Sequence, residues 1–213
     1  MKPLPLLLIL PLLCLGTGCT VRVDRHAQAL EELDRVIEQR DLYSRRKAER
    51  VEKRLRELDT VRRADRRIDI LSDIYKEYLN FNIDSAYRYA HRMLVTAQYH
   101  GRADAVNNAR IYLARTLYDG GMYDEAGRIL RQVDTTDRVR LDMPSYYGLY
   151  RMLLRNTRDA APRAQQKRYS DSIRQYDLLY TESIPEGSIS RKRRDANALN
   201  SCLLYTSPSP RDA

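Results

Sequence analysis

Cysteine is missing from the body of this chain. Cys14, Cys19 and Cys202 lie near the two ends, and Thr20 to Ser201 has none. That excludes a disulfide framework and a cysteine-based zinc site in the body. It is also compatible with an oxidising compartment. Tryptophan is absent and phenylalanine occurs once, so the 16 tyrosines carry almost all the aromatic content. Glycine and proline number 8 each, and Pro3, Pro5 and Pro11 crowd the start. A chain this poor in breakers reads as all-helical. Its 213 residues allow one domain, or one plus a fragment.

Catalytic signatures are missing too. His26, His91 and His100 are not spaced as metal ligands. There is no His-Glu-x-x-His, no Walker loop and no nucleophile elbow. The expectation is therefore no enzyme, no metal and no cofactor. The net charge of +9 raises nucleic acid as a partner. Acidic and basic residues interleave, however, as in "RRKAERVEKRLRELD", which describes a solvated helical surface. With no basic recognition helix, nucleic-acid binding is not expected of this chain.

The one long apolar run is at the start. "MKPLPLLLILPLLCLGTGC" has Lys2 as a positive opening, Leu4 to Leu15 as the apolar stretch and small residues after it. That layout is a secretory signal over residues 1–18. The run is short for a membrane span, and Pro5 and Pro11 interrupt it. Cys19 after Gly18 also resembles a bacterial lipobox, whose cysteine is lipidated. Gly16 stands where that box usually has leucine. A plain cleaved signal and a lipoprotein both stay open, and either makes the chain exported.

Residues 24–60 form an amphipathic segment of coiled-coil character. Ala27, Leu30, Leu33, Val36 and Ile37 make one stripe; Ala48, Val51, Leu55 and Leu58 make another. Arg40 and Ser44 interrupt the stripe, so a helix pair and one long helix with a weak middle are both open.

From residue 64 to 182 the pattern becomes helix pairs over 64–101, 103–135 and 144–182. The first pair offers Ile70, Leu71, Ile74, Tyr75 and Tyr78, then Ala86, Ala90, Met93, Leu94 and Ala97. The third offers Tyr146, Tyr147, Tyr150, Leu153 and Leu154, then Ile173, Tyr176, Leu179 and Tyr180. Between its helices "TRDAAPRA" reads as a long loop. Tyrosine recurring at helical spacing is expected to pack in the core and at its rim.

The second pair, "NNARIYLARTLYDGGMYDEAGRILRQV", resembles a tetratricopeptide repeat (TPR). Leu113, Ala114, Leu117, Gly121, Tyr123, Ala126 and Leu130 stand at that repeat's packing offsets. Small Ala114 and Ala126 allow a close helix crossing, and Gly121 suits a left-handed turn. The 64–101 pair matches less well: its turn is one residue short and carries Phe81 where glycine is expected. The fold implied is an all-α solenoid of stacked antiparallel helix pairs. The repeat's groove-facing offsets fall on Asn108, Ile111, Arg115 and Tyr118, a candidate ligand row for a protein or peptide, with glycan as another ligand class.

Residues 1–200 as a whole resemble the N-terminal part of a group of Gram-negative membrane regulators. The matching stretches are "LEELDRVIEQRDLYSRRKAER", "NIDSAYRYAHRML" and "ARIYLARTLYDGGMYDEA". The resemblance implies a periplasmic sensor half, followed in full-length members by a transmembrane helix, a coiled coil and a helix-turn-helix-like end. Membrane association is then expected through that downstream helix or a lipidated Cys19, and a homo-oligomer is compatible with it. The competing expectation is a periplasmic or outer-membrane lipoprotein scaffold. "SRKRRDANALN" reads as the start of a further helix over 188–200. "CLLYTSPSPRD", residues 202–212, resembles a translated sequencing adapter, and 201–213 is expected to pack on nothing.

Overall fold

The computed structural model describes residues 25–188 together with Arg191 and Lys192. The leader, Cys19, most of the expected 188–200 helix and the 201–213 tail lie outside them. The described residues contain eight α-helices and no strand: α1 Arg25–Glu38, α2 Arg40–Thr60, α3 Ala64–Tyr78, α4 Ile83–Tyr99, α5 Ala103–Asp119, α6 Tyr123–Leu130, α7 Met143–Ala160 and α8 Arg163–Ser183. One 3-10 turn spans Arg138–Arg140. The chain divides into two compact units, Met1–Arg46 and Lys47–Ala213.

The two expected stripes belong to two helices that meet at Gln39, the first stripe in the first unit and the second, Ala48 to Leu58, in the second. Backbone bonds from Gln39 N–H to Arg35 (3.2 Å) and from Tyr43 N–H to Gln39 (3.1 Å) carry the helical register across the junction. Leu30, Leu33, Val36 and Ile37 are exposed.

In the second unit each helix packs on the next: α3 on α4, α4 on α5, α5 on α6, and α7 on α8, with α7 also against α5 and α6. This is an all-α TPR-like solenoid. Short turns make neighbours antiparallel. Two turns share one device. Gly101 (φ 64°) and Gly121 (φ 81°) adopt the left-handed conformation. The next residue then donates back five positions, Arg102 to Ala97 and Met122 to Leu117, each at 2.9 Å. That is the Schellman closure, which glycine alone adopts without strain. The α3–α4 turn, which has Phe81 in place of glycine, closes without a positive φ. Asn82 caps α4 instead, accepting from Ser85 N–H at 2.8 Å.

The core is the expected one except at Tyr123, which opens α6 and stays 45% exposed because the short helix carries it to the rim. Ile70, Leu71, Ile74, Tyr75, Ala86, Ala90, Met93 and Ala97 are buried, and Tyr78 and Leu94 pack partly against them. Leu113, Ala114, Leu117, Ala126 and Leu130 are buried as the repeat pattern requires. Ala114 and Ala126 have no exposed surface, as a close crossing demands. Gly148 does the same work in the third pair: a methyl there would meet the Tyr180 ring at 3.2 Å. Tyr147, Leu149 and Ile173 complete that layer.

The long loop expected between the third pair's helices is absent. α7 runs to Ala160 and α8 begins at Arg163. Only Ala161 and Pro162 connect them. Ala161 is extended (ψ 151°), as a residue before proline must be, and Gln166 Nε2 donates to its carbonyl at 3.0 Å. At the far end Ser188 Oγ accepts from Arg191 N–H (3.2 Å), a helix start at Arg191–Lys192.

Candidate functional site

Helix α5 was the expected groove wall, yet it is the most enclosed helix, with α4, α6 and α7 against it. Ile111 therefore has no exposed surface and cannot line an open groove. Asn108 is also occupied. Its Nδ2 donates to Arg140 O and its Oδ1 accepts from Asp142 N–H, both at 2.8 Å. Asn107 clamps the other end of the same segment, bonding Asp134 O and Asp134 N–H at 3.2 Å each. Arg110 Nη1 adds a bond to Gln132 O at 2.9 Å. Adjacent side chains on α5 thus tie down the whole connection from α6 to α7. The sequence hint was the paired "NN" opening α5, since an amide can serve a backbone donor and acceptor at once.

Arg115 and Tyr118 stay accessible at the far end of the row. Arg115 Nε bonds Asp119 at 2.8 Å. Tyr118 packs on Tyr123 with ring centroids 5.0 Å apart, and burial raises its hydroxyl pKa above the ordinary value. Tyr123 leads from there into a cleft between α6 and α7.

That cleft holds about 470 Å³ and has Tyr150, Leu153 and Leu154 of α7 facing Tyr123, Gly127 and Arg131. It exists because α6 has only eight residues, leaving part of the longer α7 uncovered. Its aromatic wall is stiff. Tyr150 stacks on Tyr176 (4.8 Å, 6° between planes) and packs on Tyr146 (5.2 Å). Burial pushes the Tyr146 and Tyr176 hydroxyls up, with neighbouring tyrosines adding to the shift.

Its charges are ordered along α6. Asp124 and Glu125 sit in the first turn, where the helix dipole favours them. Arg128 hydrogen-bonds Glu125, which holds that carboxyl below its usual range. Asp124 and Arg131 have no ion-pair partner among the described residues. The cleft thus offers one free anion and one free cation, about 10 Å apart along the helix at 1.5 Å per residue, with an apolar wall opposite.

In two other concavities the carboxylates are already engaged by neighbouring groups. One, of about 420 Å³ beside α2 and α3, is crossed by Arg50 to Glu77 at 2.8 Å and Arg54 to Asp73 at 2.9 Å. The other, of about 370 Å³, lies under the 131–142 connection and spends Asn107 on the backbone. No group of three or more His, Cys, Asp or Glu able to hold a metal occurs among the described residues. No described helix is long and apolar enough to cross a membrane.

Comparison with known proteins gives one family. The family model described as the SusR N-terminal TPR domain matches residues 37–201, most of the chain. No curated protein and no solved structure matches.

Proposed function

The chain belongs to the family of SusR N-terminal TPR domains, and from that premise we propose that it is the non-enzymatic sensor part of an exported, membrane-anchored transcriptional regulator. Repeats of this kind serve protein–protein interaction. The signal-like leader supports placement on the periplasmic side of a Gram-negative envelope. A downstream helix would supply the anchor.

The single observation that carries the binding role is the α6–α7 cleft, with its apolar wall and two unspent opposite charges. Its best ligand is an extended peptide or protein segment. A span of about 10 Å matches three residues of extended chain at about 3.3 Å each. We assign it a basic residue toward Asp124, an apolar side chain against Tyr150, Leu153 and Leu154, and an acidic residue toward Arg131.

Arrayed peptides of the pattern basic–x–apolar–acidic test this directly. This pattern should bind more tightly than peptides whose basic or acidic residue is replaced by alanine, and Arg131→Glu should cost about tenfold in affinity without lowering thermal stability. Equal binding of the alanine-replaced peptides, or indifference to Arg131→Glu and Tyr123→Ala together, would remove the cleft from the reading. Alkaline phosphatase fused after residue 188 should be active if the leader exports the chain.

A second reading, a lipoprotein scaffold, is favoured by one feature, Cys19 following Gly18. Labelling with a palmitate analogue that Cys19→Ser abolishes would select it.

A further inference from the structure

The concavity between α2 and α3 has an apolar tip at one end. The pairs Arg50–Glu77 and Arg54–Asp73 step by four residues in opposite directions along the two helices. α2 and α3 therefore run antiparallel, which brings Lys47 level with the turn into α4. There Lys47 Nζ lies 4.2 Å from the centre of the Phe81 ring. Phe81 is 68% exposed, yet it is braced from behind. It stacks on Tyr78 at 6.1 Å, and Tyr78 stacks on Tyr89 at 5.7 Å. Ile83, two positions on, is exposed as well. Phe81 lines none of the three concavities described above. It is an apolar tip on a turn, not a wall of a socket.

The charge behind the tip is unbalanced. The concavity's two carboxylates, Asp73 and Glu77, are each held by an arginine. Lys53 and Lys76 line the same concavity, are exposed and have no ion-pair partner among the described residues. Lys76 stands four residues behind Asn80 on its helix, about 6 Å, and Lys53 six behind Lys47, about 9 Å, at 1.5 Å per residue. Against these three ammonium groups stands Asp84, in the first turn of α4.

We propose that this corner rests on an anionic lipid surface. Phe81 and Ile83 enter the boundary between headgroups and acyl chains, which interfacial segments penetrate by about 5–10 Å. That depth brings Lys53 and Lys76 to the phosphate level, and flexible lysine stems can follow it. Lys47 covers one face of the ring and keeps its charge among the headgroups. A soluble acidic chain meets the lysines but leaves the tip in water. A lipid surface meets both, at the depths that the two helices set. The patch is separate from the α6–α7 cleft and stands whether or not that cleft binds peptide.

The body contains no cysteine, so a dye can report depth at one position in the full chain with Cys14, Cys19 and Cys202 changed to serine. An environment-sensitive nitrobenzoxadiazole on Asn80→Cys should shift to the blue with phosphatidylglycerol vesicles. The same dye on Tyr99→Cys should not, because position 99 is at the other end of α4, about 24 Å from Ile83. The leader is common to both, so binding through it alone would leave the two positions alike. Lys53→Glu with Lys76→Glu should raise the lipid concentration needed about tenfold. Phe81→Ala should cost about as much, and Phe81→Leu should restore most of it. These side chains are exposed, so helical circular dichroism should stay unchanged. Polyglutamate should leave the dye at position 80 unshifted. Equal shifts at positions 80 and 99, equal shifts with phosphatidylcholine, a shift driven by polyglutamate, or indifference to the lysine and Phe81 substitutions would each overturn the proposal.

Discussion

Leu30, Leu33, Val36 and Ile37 on α1 keep about half their surface in solvent, whereas Ile111, Leu113 and Leu117 on α5 keep almost none. The two helices carry apolar residues at the same three-and-four spacing. α5 is surrounded by α4, α6 and α7; Leu30, Leu33, Val36 and Ile37 of α1 stay exposed. The difference teaches that periodicity specifies a helix and a sticky face, but the supply of neighbours decides whether that face is core. It also explains the misplaced groove. The standard repeat offsets assume that the first helix of a pair has a free side, and here α5 has been closed in.

The largest test of the contrast is truncation. Ile111→Ala or Leu130→Ala, both with no exposed surface, should cost about 2–5 kcal/mol in urea unfolding. Leu33→Ala should stay within about 0.5 kcal/mol at concentrations where the chain is monomeric. Comparable losses at Leu33 would show that α1 belongs to a core after all.

A smaller effect probes what closes α5 in. Asn107→Ala or Asn108→Ala leaves backbone groups of residues 134, 140 and 142 without their amide partners, at about 1–3 kcal/mol each. Limited proteolysis should then cut between residues 131 and 142, where the parent chain resists.

The mildest test uses pH. Tyr75 and Tyr112 stack at 4.4 Å inside the second unit. Burial, with Asp142 next in weight, pushes the Tyr112 hydroxyl up to about 12; burial raises that of Tyr75 as well. A raised value means that folded and unfolded forms hold the same proton below about pH 10. Above it the unfolded chain loses the proton first. Stability should thus be constant up to about pH 10 and fall towards pH 12, by up to about 1.4 kcal/mol per pH unit for each tyrosine. The slope should shrink in Tyr112→Phe.

Much of the fold was legible because its signals are local. Gly101 and Gly121 fell where left-handed turns occur, Ala114 and Ala126 where helices cross, and Phe81 marked the turn that closes differently. The loop of the third pair was misread because "TRDAAPRA" is polar and holds a proline. Polarity described an exposed helical surface, and Pro162 stops only the residue before it. The role of Gly148 is not legible locally because it is set by Tyr180, thirty-two positions away in sequence. Of the candidate row, Arg115 and Tyr118 remain accessible, while Ile111 went to the core and Asn108 to the backbone. The cleft itself was not legible, because it depends on α6 being shorter than α7.

By itself the sequence determined helices, their turns and the small residues at their crossings, because hydrogen bonding, backbone conformation and side-chain size act over a few residues. It also determined the stripe of α1, which is a fact of helical periodicity. Only the tertiary structure decided which stripes became core, which amides were consumed by a distant connection, and where an aromatic wall was left uncovered. Those outcomes depend on what packs against each face, and packing is settled between residues far apart in the chain.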